Sequence, residues 1–121
     1  MSTLRILLVE DNPMNLTLAR DLLEVRGHTV VTASTPAEAH GTSIEPKPDL
    51  VLMDIMLPDM DGATLMRQLR QRPGWESVPF VAFTAHAMIG DRERLMTEGF
   101  SGYISKPIET RRFAAEVERL A

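Results

Sequence analysis

The sequence predicts a single α/β domain in which helices cover both faces of a parallel, doubly wound sheet. Five short apolar segments alternate with five segments in which apolar residues recur at helical spacing. Strands that alternate with helices in this way form parallel sheets with right-handed crossover connections. A chain of 121 residues is long enough to enclose one hydrophobic core of this kind.

The first strand–helix unit carries the clearest local signals. Residues 4–9, LRILLV, are almost continuously apolar, which is typical of a parallel strand covered on both faces. Asn12 is a favourable helix N-cap and Pro13 is a favourable first helical residue. A helix is therefore predicted over residues 13–26, and Gly27 is suited to end it.

The second and third units follow the same order. β-branched residues dominate TVVTA, residues 29–33, and predict the second strand. Thr35 and Pro36 are expected to open a modest helix over residues 36–43, and a turn is predicted over residues 45–48. The apolar run DLVLMD, residues 49–54, predicts the third strand, and a helix is predicted over residues 63–71.

The fourth and fifth units complete the alternation. VPFVAF, residues 78–83, predicts the fourth strand, and a helix over residues 87–98 is expected to stop at Gly99. GYIS, residues 102–105, is a weaker strand signal. The last helix is predicted over residues 109–120.

Polar residues follow four of the five predicted strands. Glu10 and Asp11 follow the first strand, Asp54 ends the third, Thr84 follows the fourth and Lys106 follows the fifth. In open parallel sheets, ligands bind outside the carboxyl ends of the strands, near the point where strand order reverses. We therefore expect these side chains to gather at one edge of the sheet.

The residue types at this edge suit phosphoryl chemistry. Clustered carboxylates repel one another and favour a bound cation, and all-oxygen ligands favour Mg²⁺. The Thr84 hydroxyl and the Lys106 ammonium beside that ion would suit an anionic phosphoryl group. Asp54 is the best placed nucleophile for an aspartyl phosphate. Each residue alone has an ordinary structural explanation, and only their joint placement favours this function.

Four sequence segments resemble the receiver domain of two-component response regulators. They are EDNPMN at 10–15, DLVLMDIMLPDMDG at 49–62, FTAHAM at 83–88 and YISKP at 103–107. The resemblance covers essentially the whole chain. The segments GDRERL at 90–95 and GYISKPI at 102–108 are similar to those of DivK-like single-domain regulators, and also to receivers of hybrid histidine kinases.

The resemblance implies a fold and a set of functional residues. The fold would be the flavodoxin-like (βα)5 sheet with strand order 2-1-3-4-5, and residues 1–121 would form one receiver domain. Asp54 would be the phosphoacceptor, Thr84 would hydrogen-bond the phosphoryl group and Lys106 would pair with it. Asp11 would bind Mg²⁺ directly and Glu10 mainly through water. The complete set of metal ligands would be Glu10, Asp11, Asp54 and the backbone carbonyl of Met56.

The resemblance also implies a switch and partners. Thr84 would move towards the phosphoryl group, and Tyr103 would rotate into the vacated space. The fourth helix, fifth strand and fifth helix would then present an altered face to a downstream protein. The phosphodonor would be a sensor histidine kinase or a His-containing phosphotransfer protein. The Lys106–Pro107 peptide bond is expected to be cis.

Two residues are candidates for setting the lifetime of the phosphoryl group. Met56 lies two positions after the phosphoacceptor and His86 two positions after Thr84, which in the family flank the path of the hydrolytic water. The hypothesis is that both side chains hinder that water. The alternative is that both simply pack at the rim of the site.

Composition excludes several function classes. The chain has no cysteine, which excludes disulfides and thiolate metal sites. The formal net charge is −4 and no basic run stands out, so no direct nucleic-acid binding is expected. There is no signal peptide and no apolar run of membrane-spanning length, so cytoplasmic location without membrane insertion is predicted. A signalling domain is expected rather than an enzyme, apart from its own phosphoryl transfer and autodephosphorylation.

Three alternatives share part of the pattern. A receiver excised from a hybrid histidine kinase would look similar, although the Met1 start and the end after the fifth helix favour a natural single domain. An aspartate-nucleophile phosphatase would carry a second acid two residues after Asp11, where Pro13 stands. A flavodoxin-like mononucleotide binder would need a Ser/Thr/Gly-rich loop after the first strand, and the loop here is acidic.

Other side chains are expected to be structural or exposed. Asp59, Asp61, Pro58 and Gly62 are expected to form the turn after the third strand. Trp75 is expected over the sheet edge or partly exposed. The residues expected in the core are Met53, Met66 and Met96. The residues expected at the surface are His28, His40, Arg67, Arg70, Arg72, Arg111 and Arg112.

Overall fold

The computed structural model describes residues 3–42, 44, 47–57, 60–85 and 89–121. Several sequence predictions lie outside these ranges. They concern Pro58, Asp59, His86 and Met88, and the predicted ends of two helices at residues 43 and 87.

The structure has five strands and five helices in strict alternation. The strands are β1 Arg5–Val9, β2 Thr29–Ala33, β3 Leu50–Asp54, β4 Phe80–Thr84 and β5 Gly102–Ser105. The helices are α1 Pro13–Val25, α2 Pro36–His40, α3 Gly62–Arg70, α4 Ile89–Glu98 and α5 Phe113–Leu120. The predicted fold class is confirmed.

The five strands form one parallel sheet in the order β2-β1-β3-β4-β5. This order confirms the prediction. Strand order reverses between β1 and β3, which are neighbours in the sheet but not in the chain. Every residue of β3 is buried. Asp54 therefore lies at the carboxyl end of the central strand, directly beside the core.

The sheet separates two apolar layers. One layer contains Val9, Met53 and Phe80, and α3 adds Leu65 and Leu69 to it. The opposite layer contains the alternate residues of the same strands, and α1 and α5 cover it. Its helical members are Ala19, Leu23, Phe113, Ala114 and Val117. Period-two alternation of strand residues between two covered faces is the reason for the nearly continuous apolar character of the strands.

Side-chain caps begin three of the helices, at Asn12 and Thr35 as the sequence predicted and at Asp61, which was predicted only as a turn residue. The Asn12 side chain accepts hydrogen bonds from the backbone N–H of Met14 at 2.9 Å and of Asn15 at 3.1 Å. Thr35 Oγ1 accepts from the Glu38 N–H at 3.1 Å, and Asp61 Oδ1 accepts from the Thr64 N–H at 2.9 Å. Each cap satisfies donors that the first helical turn would otherwise leave unpaired.

Two helices are shorter than predicted. Helix α2 ends at His40, because Ala39 is its last buried residue and Gly41 forms the cap. Helix α5 begins at Phe113 and not at residue 109. The backbone N–H groups of Arg112 and Phe113 both donate to the Glu109 carbonyl, which makes a turn rather than a helix. Residues 109–112 are exposed, so tertiary packing stabilises the helix only from Phe113 onwards.

Several side-chain predictions are wrong. His28 is buried, because its Nδ1 accepts from the Leu4 N–H at 3.0 Å and its Nε2 lies 2.7 Å from Glu118 Oε2. Met96 is 45% exposed. Of the two alternatives predicted for Trp75, only partial exposure is wrong, because the ring is buried in the same apolar layer as Phe80. The guanidinium of Arg72 lies 4.4 Å from the ring centroid.

The remaining side-chain predictions have mixed outcomes. Met53 and Met66 are in the core, and His40 is exposed, as predicted. Arg70 and Arg72 donate hydrogen bonds to backbone carbonyls and are not a solvated face. In the parts of the chain that the structure describes, no helix has the length and apolar character needed to cross a lipid bilayer.

Candidate functional site

Three carboxylates meet at the carboxyl ends of β1 and β3. Glu10, Asp11 and Asp54 each offer one oxygen, and these oxygens all lie within 4.8 Å of one another. Glu10 and Asp54 are buried, whereas Asp11 is exposed. The sheet order brings together residues that are 43 positions or more apart in the chain, because β1 and β3 are neighbours.

Lys106 reaches into this cluster from the end of β5. Its Nζ lies 2.6 Å from Glu10 Oε1 and 3.1 Å from Asp54 Oδ2. The same ammonium lies 4.8 Å from the centroid of the Phe83 ring. The Lys106–Pro107 peptide bond is cis, as the sequence predicted. The Lys106 backbone N–H donates to the Thr84 carbonyl at 2.9 Å, which fixes the start of this loop to β4.

Burial and ion pairing shift the protonation equilibria of the site. Burial raises the pKa of the Glu10 carboxyl, although the hydrogen bond from Lys106 acts in the opposite direction. For Lys106, burial alone would lower the pKa. The hydrogen bonds to Glu10 and Asp54 outweigh it and raise the pKa of the ammonium. Lys106 is therefore a cation at neutral pH, and one ammonium faces three carboxylates.

Backbone donors orient both buried carboxylates. The Met56 N–H donates to Asp54 Oδ1 at 2.9 Å, and the Asn12 N–H donates to Glu10 Oε2 at 3.0 Å. The Met56 side chain itself is 61% exposed. Each buried carboxylate thus has one oxygen held by a backbone amide and one oxygen beside Lys106. Pre-oriented carboxylates of this kind are suited to a fixed ligand or to a nucleophilic role.

Residues 55–56 and 61–62, at the two ends of the β3–α3 connection, lie close to Asp54. The Gly62 N–H donates to the Ile55 carbonyl at 2.9 Å, and Met56 forms an isolated bridge with Asp61. A Cβ at position 62 would lie 2.9 Å from the Asp54 carbonyl oxygen and 2.6 Å from Ile55 Cα. Only glycine fits this close approach. The hydrogen bond from the Thr64 N–H is the main cause of a lowered pKa for Asp61, which starts α3.

Thr84 and Tyr103 lie on neighbouring strands next to the acidic cluster. Thr84 is buried at the end of β4, and Tyr103 on β5 is half-buried. The Arg92 guanidinium of α4 lies 5.6 Å from the centroid of the Tyr103 ring. A groove of about 570 Å³ runs between α4, β5 and α5, and Tyr103 lies among its lining residues with Met96, Phe113 and Arg119.

The sequence predicted all the strand-end residues but missed two supporting groups. It did not predict the contact of Arg92 with Tyr103, because no local pattern relates the two elements. It assigned Asn12 only to the helix cap, although the Asn12 N–H also binds Glu10. That donor could have been inferred, since the residue follows the acidic pair at the start of a helix.

Comparison with known sequences decides the family. The sequence model of the "Response regulator receiver domain" matches residues 6–118. This chain is a response regulator receiver. The match spans every strand and helix except the first residue of β1 and the end of α5.

Alignments with known response regulators cover this receiver almost completely. It is 39% identical over 113 residues to "Polar-differentiation response regulator DivK" of Brucella anthropi, an alignment that covers 93% of this chain and 92% of the relative. The non-phosphorylated HemR receiver domain of Leptospira biflexa is 32% identical, with a TM-score of 0.84, and 96% of this chain and 92% of that one are covered. The chemotaxis response regulator CheY4 of Vibrio cholerae has a TM-score of 0.90 at 19% identity, with 99% and 100% coverage, and supports the fold.

Proposed function

We propose that this receiver is a phosphorylation-dependent signalling module whose phosphoacceptor is Asp54. The observation that carries the proposal is the convergence of Glu10, Asp11 and Asp54 within 4.8 Å. Lys106, paired with two of these carboxylates, supports it. The phosphodonor would be a sensor histidine kinase or a His-containing phosphotransfer protein. Residues 1–121 would form one receiver domain. The cytoplasm is the location that the sequence predicts.

The donor set fits a Mg²⁺ ion. Glu10, Asp11, Asp54 and the backbone carbonyl of Met56 would hold it, with hard oxygen ligands that this ion prefers. Lys106 neutralises only part of the negative charge of three carboxylates, so a divalent cation would lower their mutual repulsion. When bound, Mg²⁺ would supply charge stabilisation for the oxygens of the transferring phosphoryl group.

The transfer itself would be a nucleophilic displacement at phosphorus. A carboxylate oxygen of Asp54 forms the new O–P bond, while the N–P bond of the donor phosphohistidine breaks. The electron pair of that bond stays on the imidazole nitrogen. Because the other ring nitrogen of the phosphohistidine carries a proton, the ring leaves as neutral imidazole. Lys106, already 3.1 Å from Asp54 Oδ2, would stay beside the phosphoryl oxygens and balance their charge. Hydrolysis of the acyl phosphate would later return Asp54 to its free form.

The phosphoryl group would then bias a two-state equilibrium. It adds negative charge and acceptor oxygens to the site, which favour the state in which Thr84 donates to them. Thr84 and Tyr103 lie on adjacent strands, so a shift of one side chain alters the space available to the other. Tyr103 borders the α4–β5–α5 groove, and a downstream protein that binds this groove would read the signal.

The DivK relative supports a role as a response regulator. The alignment covers 92% of that response regulator. The alternative, a receiver of a hybrid histidine kinase in a phosphorelay, uses the same site and differs only in its donor and output. The aspartate-nucleophile phosphatase and the mononucleotide binder do not agree with the family.

Phosphorylation by a small phosphodonor tests the proposal. Incubation with acetyl phosphate and Mg²⁺ should add one phosphoryl group by intact mass, and chelation of Mg²⁺ with EDTA should prevent it. Asp54→Ala should abolish the addition. Asp21→Ala, which removes an exposed acid paired only with Arg20, is the matched control and should leave it intact. Absence of any addition, with a competent histidine kinase also failing, would refute the proposal.

A further inference from the structure

Helix α4 is weakly held against the sheet. Of its described side chains, only Leu95 is buried, and five others are exposed. The exposed residues are Arg92, Glu93, Arg94, Met96 and Thr97. A helix with so little buried apolar surface has a low free energy of local opening, so its position depends on a small number of anchors.

One anchor lies at the C-terminal end of α4 and comes from another helix. Arg70, the last residue of α3, donates from Nη1 to the Gly99 carbonyl at 2.8 Å and from Nη2 to the Val78 carbonyl at 3.4 Å. Its guanidinium lies 4.9 Å from the centroid of the Phe80 ring. A cation at a helix C-terminus is favourable, because unpaired carbonyls concentrate negative charge there.

Arg70 is committed to this anchor. In the described residues no carboxylate forms an ion pair with it, and burial lowers the pKa of its guanidinium. Gly99 has a φ of +118°, and a Cβ there would lie 3.0 Å from Arg70 Nη1 and 3.3 Å from Met66 Cε. The backbone at Gly99 and the side chain of Arg70 therefore fit closely and constrain each other.

The opposite end of α3 contacts the phosphoacceptor. Gly62 begins the helix directly against the Asp54 carbonyl oxygen, and Asp61 bridges to Met56, whose N–H holds Asp54 Oδ1. Between the two ends, Leu65, Met66 and Leu69 are buried in the core. The nine residues of α3 thus form one packed helix that touches Asp54 at its start and α4 at its end.

We propose that Arg70 is a positioning residue that makes the C-terminal end of α4 a pivot and links it through α3 to Asp54. Resting on the proposed function, this anchor would act beside the Thr84–Tyr103 route by giving α4 a fixed end. Phosphorylation would move the N-terminal part of α4 while the Gly99 end stays fixed. Loss of Arg70 would release the Gly99 end as well, so the helix would be mobile in either phosphorylation state.

Amide hydrogen exchange across residues 91–98 tests this proposal without any phosphorylation. In Arg70→Met the amides of α4 should exchange about tenfold faster than in wild type, because a charge-assisted hydrogen bond at the helix end is lost. Arg67→Met is the matched control. It removes the same charge from an exposed position of α3 whose side chain donates to Thr64 Oγ1 at 3.4 Å and to no backbone carbonyl among the hydrogen bonds of the described residues, and it should exchange like wild type.

A second readout uses the phosphorylated protein. Arg70→Met should accept a phosphoryl group on Asp54 as completely as wild type, yet lose most of the phosphorylation-dependent change in α4 exchange. If Arg70→Met does not fold, Arg70→Lys, which keeps one donor, should exchange faster than Arg67→Met. Equal α4 exchange in folded Arg70 and Arg67 variants would overturn the proposal. If wild type does not become phosphorylated, the proposed function is overturned. The exchange of α4 in the unphosphorylated variants then still tests whether Arg70 holds the end of the helix.

Discussion

Lys106 Nζ lies 2.6 Å from Oε1 of Glu10, and this ion pair is shielded from solvent at the edge of the sheet. The pair joins the ends of β1 and β5, which are not neighbours in the sheet. Lys106 also reaches Asp54 on β3, so a single side chain connects three strand ends. Its contribution to stability and its proposed role in phosphoryl chemistry can be separated by experiment.

Removing the ammonium should destabilise the fold in the absence of Mg²⁺. Lys106→Met leaves the buried Glu10 carboxylate without its cation, and we expect a loss of about 2 kcal/mol in the free energy of unfolding. Urea denaturation at pH 7 measures it. Lys47→Met is the matched control, since Lys47 is the only other lysine and takes part in no ion pair among the described residues. An unchanged midpoint for Lys106→Met would show that the pair adds no stability.

The Glu118 carboxylate should make stability depend on pH. Hydrogen bonds from Arg26 and His28 lower the pKa of Glu118 to about 2 from an ordinary value of 4.5. A carboxyl whose pKa is lower in the folded state stabilises the protein above pH 4.5 and loses this effect as pH falls towards 2. Glu118→Gln should therefore cost about 1 kcal/mol at pH 7 and progressively less below pH 4.5.

The control for Glu118 is another acid on the surface. Glu24→Gln removes a carboxylate that has only a 3.8 Å contact with Arg20, so its effect should be small at every pH. Thermal unfolding of the three proteins from pH 7 to pH 3 compares them. A Glu118→Gln deficit that stays constant over this range would contradict the assigned ion pairs.

Gly62 should tolerate no side chain. In Gly62→Ala the new Cβ would press on the Asp54 carbonyl and on Ile55, and relief of that overlap should cost about 2 kcal/mol. Because Asp54 is displaced, the rate of phosphorylation by acetyl phosphate should fall as well. Gly90→Ala is the matched control, since a Cβ there meets no atom within 4 Å, and it should be neutral or slightly stabilising. Equal behaviour of the two variants would show that the loop adapts freely.

The Met56 side chain should slow loss of the phosphoryl group. The Met56 backbone N–H holds Asp54 Oδ1 at 2.9 Å, and its apolar side chain is 61% exposed at this end of β3. The hypothesis is that this side chain hinders the approach of the attacking water. Met56→Asn should therefore lose phosphate several-fold faster than wild type, as measured by intact mass after removal of the phosphodonor. Equal rates of phosphate loss would show that the Met56 side chain only packs at the rim of the site. Slower loss in Met56→Asn would contradict the hypothesis that Met56 hinders the hydrolytic water.

Local sequence patterns were sufficient for most of the fold and for the strand-end residues. Apolar runs predicted the five strands, and Asn12 and Thr35 predicted helix starts, because each signal acts within a few residues. The parallel sheet predicted that Glu10 and Asp54 would lie at the same edge, whereas the order that makes β1 and β3 neighbours was implied by the family resemblance. The start of α5 was missed, since its position is set by the burial of Phe113 and not by a cap.

Long-range contacts of polar side chains could not be predicted in the same way. His28 looked like an isolated surface histidine, and its partners Leu4 and Glu118 lie 24 and 90 residues away. Arg70 was predicted to be exposed on a helix surface, yet it donates hydrogen bonds to the backbone carbonyls of Gly99 and Val78. No periodic pattern in one sequence encodes such pairs, because each depends on the final packing of separate elements.

Identification of the modified residue is the most direct test of the central proposal. The protein is treated with acetyl phosphate and Mg²⁺ and then reduced with borohydride, which converts an aspartyl phosphate into homoserine, and peptides are sequenced by mass spectrometry. The account predicts homoserine at position 54 and at no other acid, and none when Mg²⁺ is chelated. Homoserine at another position, or its appearance at position 54 without Mg²⁺, would contradict the account.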